Sequence, residues 1–184
     1  MQTMDSMPQE KQVKIASETL FIYAPLAHRI GLYGVKTELE DLSLKYTEPR
    51  VYKEIETKLQ KTKAVRTRFL NQFIVPVKRA MEKAGMNYRI AGRPKSVHSI
   101  YKKMQRQGIP FEEVYDNFAV RIVVDCPPNE EKATCWNVYS IVTDFYKPKP
   151  DRLRDWITTP KANGYESLHT TVMSPGGRWV EVQI

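Results

Sequence analysis

Through residue 84 the apolar positions keep a helical period, and from Tyr88 onward they begin to alternate. Ser6-Met7-Pro8-Gln9 reads as a helix start, followed by Val13, Ala16, Leu20, Tyr23 and Ala27 on one face. Pro25 is expected to kink or split that run. After Gly31 and Gly34 a second helix places Val35, Leu39, Leu42 and Tyr46 together and ends before Pro49. A third opens at Pro49 and carries Val51, Ile55, Leu59, Val65, Phe69, Phe73 and Val77, with a bend at Pro76 and a stop at Gly85. None of these helices bears chemistry of its own. His28, among apolar neighbours, reads as a packed or capping histidine rather than a ligand.

Beyond Gly85, Tyr88-Arg89-Ile90-Ala91 is a short strand followed by a turn at Gly92-Arg93-Pro94-Lys95. Ser96 opens a helix with Val97, Ile100, Tyr101 and Met104 inward. Phe118, Val120, Ile122 and Val124 alternate with Asn117, Ala119, Arg121 and Val123, a strong strand signal. Pro127-Pro128-Asn129 ends it and caps a helix over 130–145, residues 146–165 read as loop, and two strands, 167–173 and 178–184, close the chain.

The last hairpin carries a parity argument. Leu168 and Val172 must share a buried face with Val180, Val182 and Ile184, which a three-residue loop at 175–177 permits. His169 and Thr171 then stand beside Glu181 and Gln183 on the other face, either as an ordinary wet surface or as a site.

At 184 residues the chain is one domain, or one domain with a helical appendage. No apolar run is long enough to cross a bilayer, and no signal pattern opens the sequence. Cys126 and Cys135 lack C-x-x-C spacing, so a reduced cytoplasm is the expected compartment. The formal charge of +8 is concentrated: residues 61–110 hold 13 basic side chains against one acid, Glu82. A block of this kind is a solvated helix face or a surface for polyanions, and over 61–83 both readings stand. An RNA-binding module is one version of the second, since Phe69, Phe73, Tyr88 and Tyr101 interleave with the cations.

Glycine-rich phosphate loops, the G-x-S-x-G elbow, H-E-x-x-H and zinc spacings are all missing. Phosphate binding would therefore rest on side-chain cations. One cluster is Gly92-Arg93-Pro94-Lys95-Ser96, with Ser99, Lys102 and Lys103 following; backbone N–H groups at a helix start there also favour anions. A second runs from Arg152-Leu153-Arg154-Asp155 to Lys161-Ala162-Asn163-Gly164-Tyr165, combining charge, an amide and an aromatic platform. Two acids, Asp116 before the strand 117–124 and Glu181 on the hairpin, are candidates for holding Mg²⁺. Asp116 shares the parity of the apolar residues, so it must sit at the strand end, facing a cleft or serving as a turn residue.

Four ordered blocks carry a resemblance: Gly92-Arg93-Pro94-Lys95 through Ser99-Ile100-Tyr101-x-Lys103-Met104, Asp116-x-x-Ala119-Val120-Arg121-Ile122, Pro160-Lys161-Ala162-Asn163-Gly164-Tyr165-x-Ser167-x-His169-Thr170-Thr171, and Glu181-Val182-Gln183-Ile184. Together they resemble the synthetase domain of the RelA/SpoT alarmone family. The resemblance implies an α+β, nucleotidyltransferase-like mixed sheet flanked by helices over residues 85–184, preceded by a helical segment, 1–84, that links hydrolase and synthetase regions. It implies transfer of the pyrophosphate of ATP to the 3′-hydroxyl of GDP or GTP, giving ppGpp or pppGpp and AMP. By position, Arg93, Lys95, Ser99, Lys103 and Arg154 fall to ATP, and Lys161, Asn163, Tyr165, His169 and Gln183 to the guanine nucleotide. Asp116 and Glu181 fall to Mg²⁺, with Glu181, Asp116 and Arg121 as the catalytic set. Where relatives read G-R-F-K-D, this chain has Asp151-Arg152-Leu153-Arg154-Asp155, an Arg in place of Lys at a phosphate contact. An internal fragment of a longer bifunctional protein is expected, ribosome-linked through C-terminal regions beyond residue 184. A catalytically silent nucleotide-binding fragment is the alternative.

Overall fold

The computed structural model describes residues 1–114 and 118–184. Its architecture is α+β: helices lead, and a mixed five-stranded sheet with its own helices follows. Packing separates two compact units, Met1–Thr62 with Ser96–Val114, and Lys63–Lys95 with Tyr115–Ile184.

The first unit is helical. Helix α1 (Gln9–Glu18) runs through a π-helical turn, Thr19–Tyr23, into α2 (Ala24–Arg29), which has Pro25 in its first turn. A π turn advances the chain by an extra residue and so rotates the phase of everything after it. Ala24 is therefore buried where the regular period points to Tyr23, which is exposed, as is Val13. His28 is exposed as well, touching Tyr33 edge-on at 5.6 Å between ring centroids.

Helix α3 (Tyr33–Thr47) departs further from its sequence pattern. Its buried residues are Glu40, Ser43, Leu44 and Tyr46, while Val35 is exposed. Two polar side chains thus join the inward stripe, and Leu39 and Leu42 are only half-buried. Leu44 joins a core with Ile55 of α4 (Pro49–Lys61), Val97 and Ile100 of α6 (Val97–Gln107), Phe111 and Val114.

The continuous third helix expected from Pro49 to Gly85 is two helices, α4 and α5 (Lys63–Lys83). The Thr62 hydroxyl donates back to the Lys58 carbonyl at 2.9 Å at the junction. The apolar period runs straight across the break because each half buries its stripe in a different core. Ile55 belongs to the helical unit, whereas Leu70, Phe73, Val77 and Met81 of α5 belong to the sheet. Pro76 lies inside α5 without ending it.

In the second unit the strand order is β1-β2-β5-β4-β3, with β1 (Tyr88–Pro94) antiparallel to β2 (Phe118–Val124) and β2 parallel to β5 (Trp179–Gln183). Strand β4 (Leu168–Met173) lies antiparallel between β5 and the two-residue β3 (Arg154–Asp155). Helix α5 and helix α7 (Glu131–Phe145) supply the core on one face, with Val120, Ile122, Leu168, Val172, Val180 and Val182 from the strands. The final hairpin has the expected register: Val172 pairs with Val180, Thr171 with Glu181, and His169 with Gln183. Gly177, at φ 71°, supplies the left-handed position of its loop, and Ser174 N–H closes it on the Arg178 carbonyl at 2.9 Å.

Three local expectations change. The strand at Tyr88 does not turn at Gly92; it continues through Pro94, with Gly92, Arg93 and Pro94 paired to Val120, Ala119 and Phe118. An edge strand tolerates the missing N–H of Pro94, and Gly92 has Leu70 of α5 directly above it, where a Cβ would meet Leu70 Cδ1 at 2.5 Å. Helix α7 is capped by Glu130 rather than Asn129 and has no side-chain cap. The 146–165 segment, read as loop, contains β3. The aromatics that suggested a base-stacking surface are also spoken for. Phe73 stacks on Tyr146 at 4.2 Å, Phe69 and Tyr88 pack on the sheet core, and Tyr101 packs on the helical core. Both cysteines are free thiols, and burial pushes that of Cys135 up to about 11.

Candidate active site

With one face of the sheet covered by α5 and α7, the opposite face displays the alternate residues of each strand. Register aligns them in two rows. One row reads Arg93, Ala119, Glu181, Thr171; the next reads Ala91, Arg121, Gln183, His169, Arg154. Because paired residues share a face, β1, β2, β5 and β4 each contribute polar chemistry to one surface although the residues lie up to 90 positions apart in the sequence.

Glu181 is the acid of this surface. Its Oε2 lies 3.2 Å from Lys95 Nζ, and its Oε1 accepts a 2.8 Å hydrogen bond from the Gln183 amide. Burial works against its charge, but Lys95, the Gln183 amide and His169 outweigh that cost and hold the carboxyl below its ordinary value. Glu181 is ionised at neutral pH. Gln183 in turn accepts from the Arg121 guanidinium at 3.4 Å. Desolvation and then the neighbouring Arg121 charge lower Arg93 from its usual value, and its guanidinium stays protonated.

His169 is the opposite case. Burial, reinforced by Lys161, Arg121 and Arg93, depresses it to about 4 in spite of Glu181, so it is neutral at pH 7. Its Nε2 stands 2.8 Å from the Tyr165 hydroxyl. A neutral ring that accepts there carries its proton on Nδ1, the nitrogen facing Glu181 Oε1 at 3.7 Å. That separation exceeds a hydrogen bond.

Beside the rows lies an aromatic box. Trp156 meets His169 edge-on at 4.6 Å and Tyr165 at 6.1 Å between ring centroids. Lys161 Nζ sits 3.7 Å above the Trp156 ring and 5.1 Å from that of Tyr165. The turn that delivers them is short: Gly164, at φ 71°, allows its N–H to reach the Lys161 carbonyl, and Asn163 Oδ1 accepts from Tyr165 N–H at 3.3 Å. Trp156 is a residue the sequence patterns passed over. Its one signal was an aromatic directly after the Arg152–Asp155 cluster; only the pairing of β3 with β4 carries it under Lys161.

The sequence profile of the region found in RelA / SpoT proteins matches residues 92–184, just over half of the chain. The chain belongs to the RelA/SpoT family. It is 42% identical over 184 residues to the GTP pyrophosphokinase of Myxococcus xanthus, covering all of this chain and 24% of that protein. With the bifunctional (p)ppGpp synthase/hydrolase SpoT of Escherichia coli K12 it shares 38% identity over 184 residues, again all of this chain and 26% of that protein. The chain therefore spans about a quarter of the length of these relatives. The small alarmone synthetase 1 of Bacillus subtilis, solved with its product pppGpp, aligns with a TM-score of 0.39 at 23% identity, over 64% of this chain and 73% of that one.

Of the residues that the RelA/SpoT pattern marks, the sheet unit brings together Arg93, Lys95, Arg121, His169, Glu181 and Gln183, with Lys161, Asn163 and Tyr165 in the adjoining turn. The guanidinium of Arg154 turns back on its own loop, donating to the carbonyls of Asp151 and Leu153 at 3.1 and 3.0 Å. Ser99 and Lys103 belong to α6 in the helical unit. Asp116 lies outside the described residues. The start of α6 is no open anion cradle, because its N–H groups are bonded within the helical unit: His98 N–H to Asp41 at 2.8 Å, and Ser99 N–H to Ser96 Oγ at 3.2 Å.

A divalent cation suits this chemistry in part. Mg²⁺ takes one or two carboxylates and keeps water and phosphate oxygens as its remaining ligands, and Glu181 offers one ionised carboxylate on the open face. Among the described residues no three His, Cys, Asp or Glu side chains cluster as a self-sufficient metal site, and no helix is long and apolar enough to cross a membrane.

Proposed function

We propose that this chain carries the synthetase chemistry of its family, moving the β,γ-pyrophosphate of ATP to the 3′-hydroxyl of GDP or GTP. The observation that supports this best is a single ionised carboxylate, Glu181, set among Lys95, Arg93 and Arg121 on one sheet face beside an aromatic, cation-capped turn. Joining two polyanions asks a protein mainly to position them and to offset their repulsion.

In this reading Arg93 lies against adenine and Lys95 holds the ATP phosphates, with Ser99, Lys103 and Arg154 assigned to the same nucleotide by the family pattern. Arg121 faces charge that builds on the transferred group. Tyr165 stacks on guanine, while Lys161, Asn163, His169 and Gln183 surround the acceptor nucleotide. Because His169 is neutral, it orients the Tyr165 hydroxyl and adds no charge. Lys95, drawn to ATP, leaves Glu181 open to take the proton of the attacking 3′-hydroxyl. The bond from that oxygen to the β-phosphorus forms, the bridge between the α- and β-phosphates breaks, and AMP departs. Glu181 and Asp116 would hold Mg²⁺, which neutralises phosphate charge when bound.

Residues 1–84 are assigned to the linking helical segment and 85–184 to the synthetase domain. The longer protein is placed in the cytoplasm, ribosome-linked through regions outside this chain. The test is direct: labelled ATP, GDP and Mg²⁺ incubated with the chain, and ppGpp resolved from ATP, for wild type, Asp116→Asn and Glu181→Gln. Product from wild type and its loss in both variants is expected. Nucleotide binding without product would instead identify a silent binding fragment.

A further inference from the structure

A helix start leaves its first N–H groups without partners inside the helix. In α6 the N–H groups of Val97, His98 and Ser99 find one nearby, ahead of the first in-helix bond. The Ile100 N–H donates to the Ser96 carbonyl at 3.1 Å, and the Ser99 N–H to Ser96 Oγ at 3.2 Å. The N–H groups of Val97 and His98 go to the carboxylate of Asp41, the latter at 2.8 Å. Ser96 also donates its hydroxyl to Asp41, and its oxygen stands 2.9 Å from the Ser99 hydroxyl. Asp41 thus reaches Ser99 through a single relay residue. One position earlier on α3, the largely buried Glu40 lies 3.4 Å from Nδ1 of the buried His98 and 2.6 Å from Lys36 Nζ.

This arrangement is more than a helix needs. Ser96 already serves as the local N-cap. A second acceptor, 57 residues away on another helix, adds a fixed tie between α3 and α6. It also has a cost, because burial pushes the Asp41 carboxyl above its ordinary value against the pull of its donors. The inward placement of Glu40 on α3, beside His98, has the same explanation: buried polar contacts specify one arrangement at the expense of stability.

We propose that Asp41 is a positioning residue for ATP: through Ser96 it orients the first turn of α6 and the hydroxyl of Ser99, with Glu40 bracing the same turn through His98. The inference rests on the assignment of Ser99 and Lys103 to ATP. It gives the otherwise unreactive helical segment a part in substrate binding.

The test compares affinities for a non-hydrolysable ATP analogue and for GDP in wild type, Asp41→Ala, Asp41→Asn and Ser96→Ala, together with amide exchange over 97–99. Losing a cap of this kind should weaken the ATP analogue about fivefold to tenfold, leave GDP unchanged, and speed exchange at Val97 and His98. Asp41→Asn should recover most of the affinity, since its amide oxygen accepts from the same N–H groups. Faster exchange with undiminished ATP affinity would reduce Asp41 to a local cap and overturn the proposal, as would equal losses for both nucleotides. Where Asp41→Ala does not fold, Ser96→Ala decides, because it cuts the relay at its middle; unchanged ATP affinity there has the same meaning. A wild-type chain that binds no ATP overturns the assigned function as well as this inference, and is thereby distinguished from failure of the inference alone.

Discussion

Replacing His169 with glutamine should make the sheet unit more resistant to mild acid. In the folded chain His169 is depressed from 6.5 to about 4, first by burial and then by Lys161, Arg121 and Arg93, with Glu181 opposing. An unfolded chain takes up a proton on this ring as pH falls below about 6.5, whereas the folded one does not until about pH 4. Stability is therefore intact above the unfolded value and drains away between the two. The full difference is about 3 kcal/mol, and about 2 kcal/mol of it is already lost at pH 5. His169 has 18% of its side chain exposed, so solvent screens this only modestly. Glu181, lowered from its ordinary value, costs stability only under more acidic conditions.

All three tryptophans, Trp136, Trp156 and Trp179, lie in the sheet unit, so their emission during urea unfolding reports that unit alone. Between roughly pH 7.5 and pH 5, wild type should lose about 2 kcal/mol more than His169→Gln. Glutamine retains an acceptor for the Tyr165 hydroxyl and has no proton to gain. Parallel losses in the two proteins would show that His169 is not held neutral by its surroundings and would refute the reasoning.

Glu181→Gln should cut turnover about 10²-fold to 10⁴-fold, the usual range for a general base, while an ATP-binding assay finds affinity within severalfold of wild type. Tyr165→Ala should raise the KM for GDP about tenfold, consistent with about 1–3 kcal/mol for a stacked base, and leave the KM for ATP near its wild-type value. Emission from Trp156 should change when guanine nucleotide enters beside it, and a Trp156→Phe titration should lose that signal while Trp136 and Trp179 still fluoresce. Gly92→Ala should lower stability by about 1–3 kcal/mol in thermal melts, the range for overpacking, because Leu70 Cγ as well as Cδ1 crowds the new methyl.

Local information decided a good deal of this protein. Alternation in 118–124 and parity in the final hairpin are properties of neighbouring residues, since a strand with one buried face has one permissible phase. They were enough to set His169, Thr171, Glu181 and Gln183 on a common side. The ordered motif blocks likewise carry the family resemblance in the sequence itself. Composition located the positive charge, although it left open whether the charge served a ligand or only solvent.

Other features depended on partners distant in sequence. The apolar period could not reveal the break at Thr62, because α4 and α5 each keep the same repeat while filling separate cores. Nor could it find the inward turn of Glu40, which meets His98 of α6. Gly92-Arg93-Pro94 resembles a turn until β2 offers it a ladder and Leu70 occupies the space above its glycine. Trp156 became part of a site only when β3 paired with β4. In each case a long-range contact outweighed a local preference of about 1 kcal/mol or less per residue, and such contacts exist only after the chain has closed on itself.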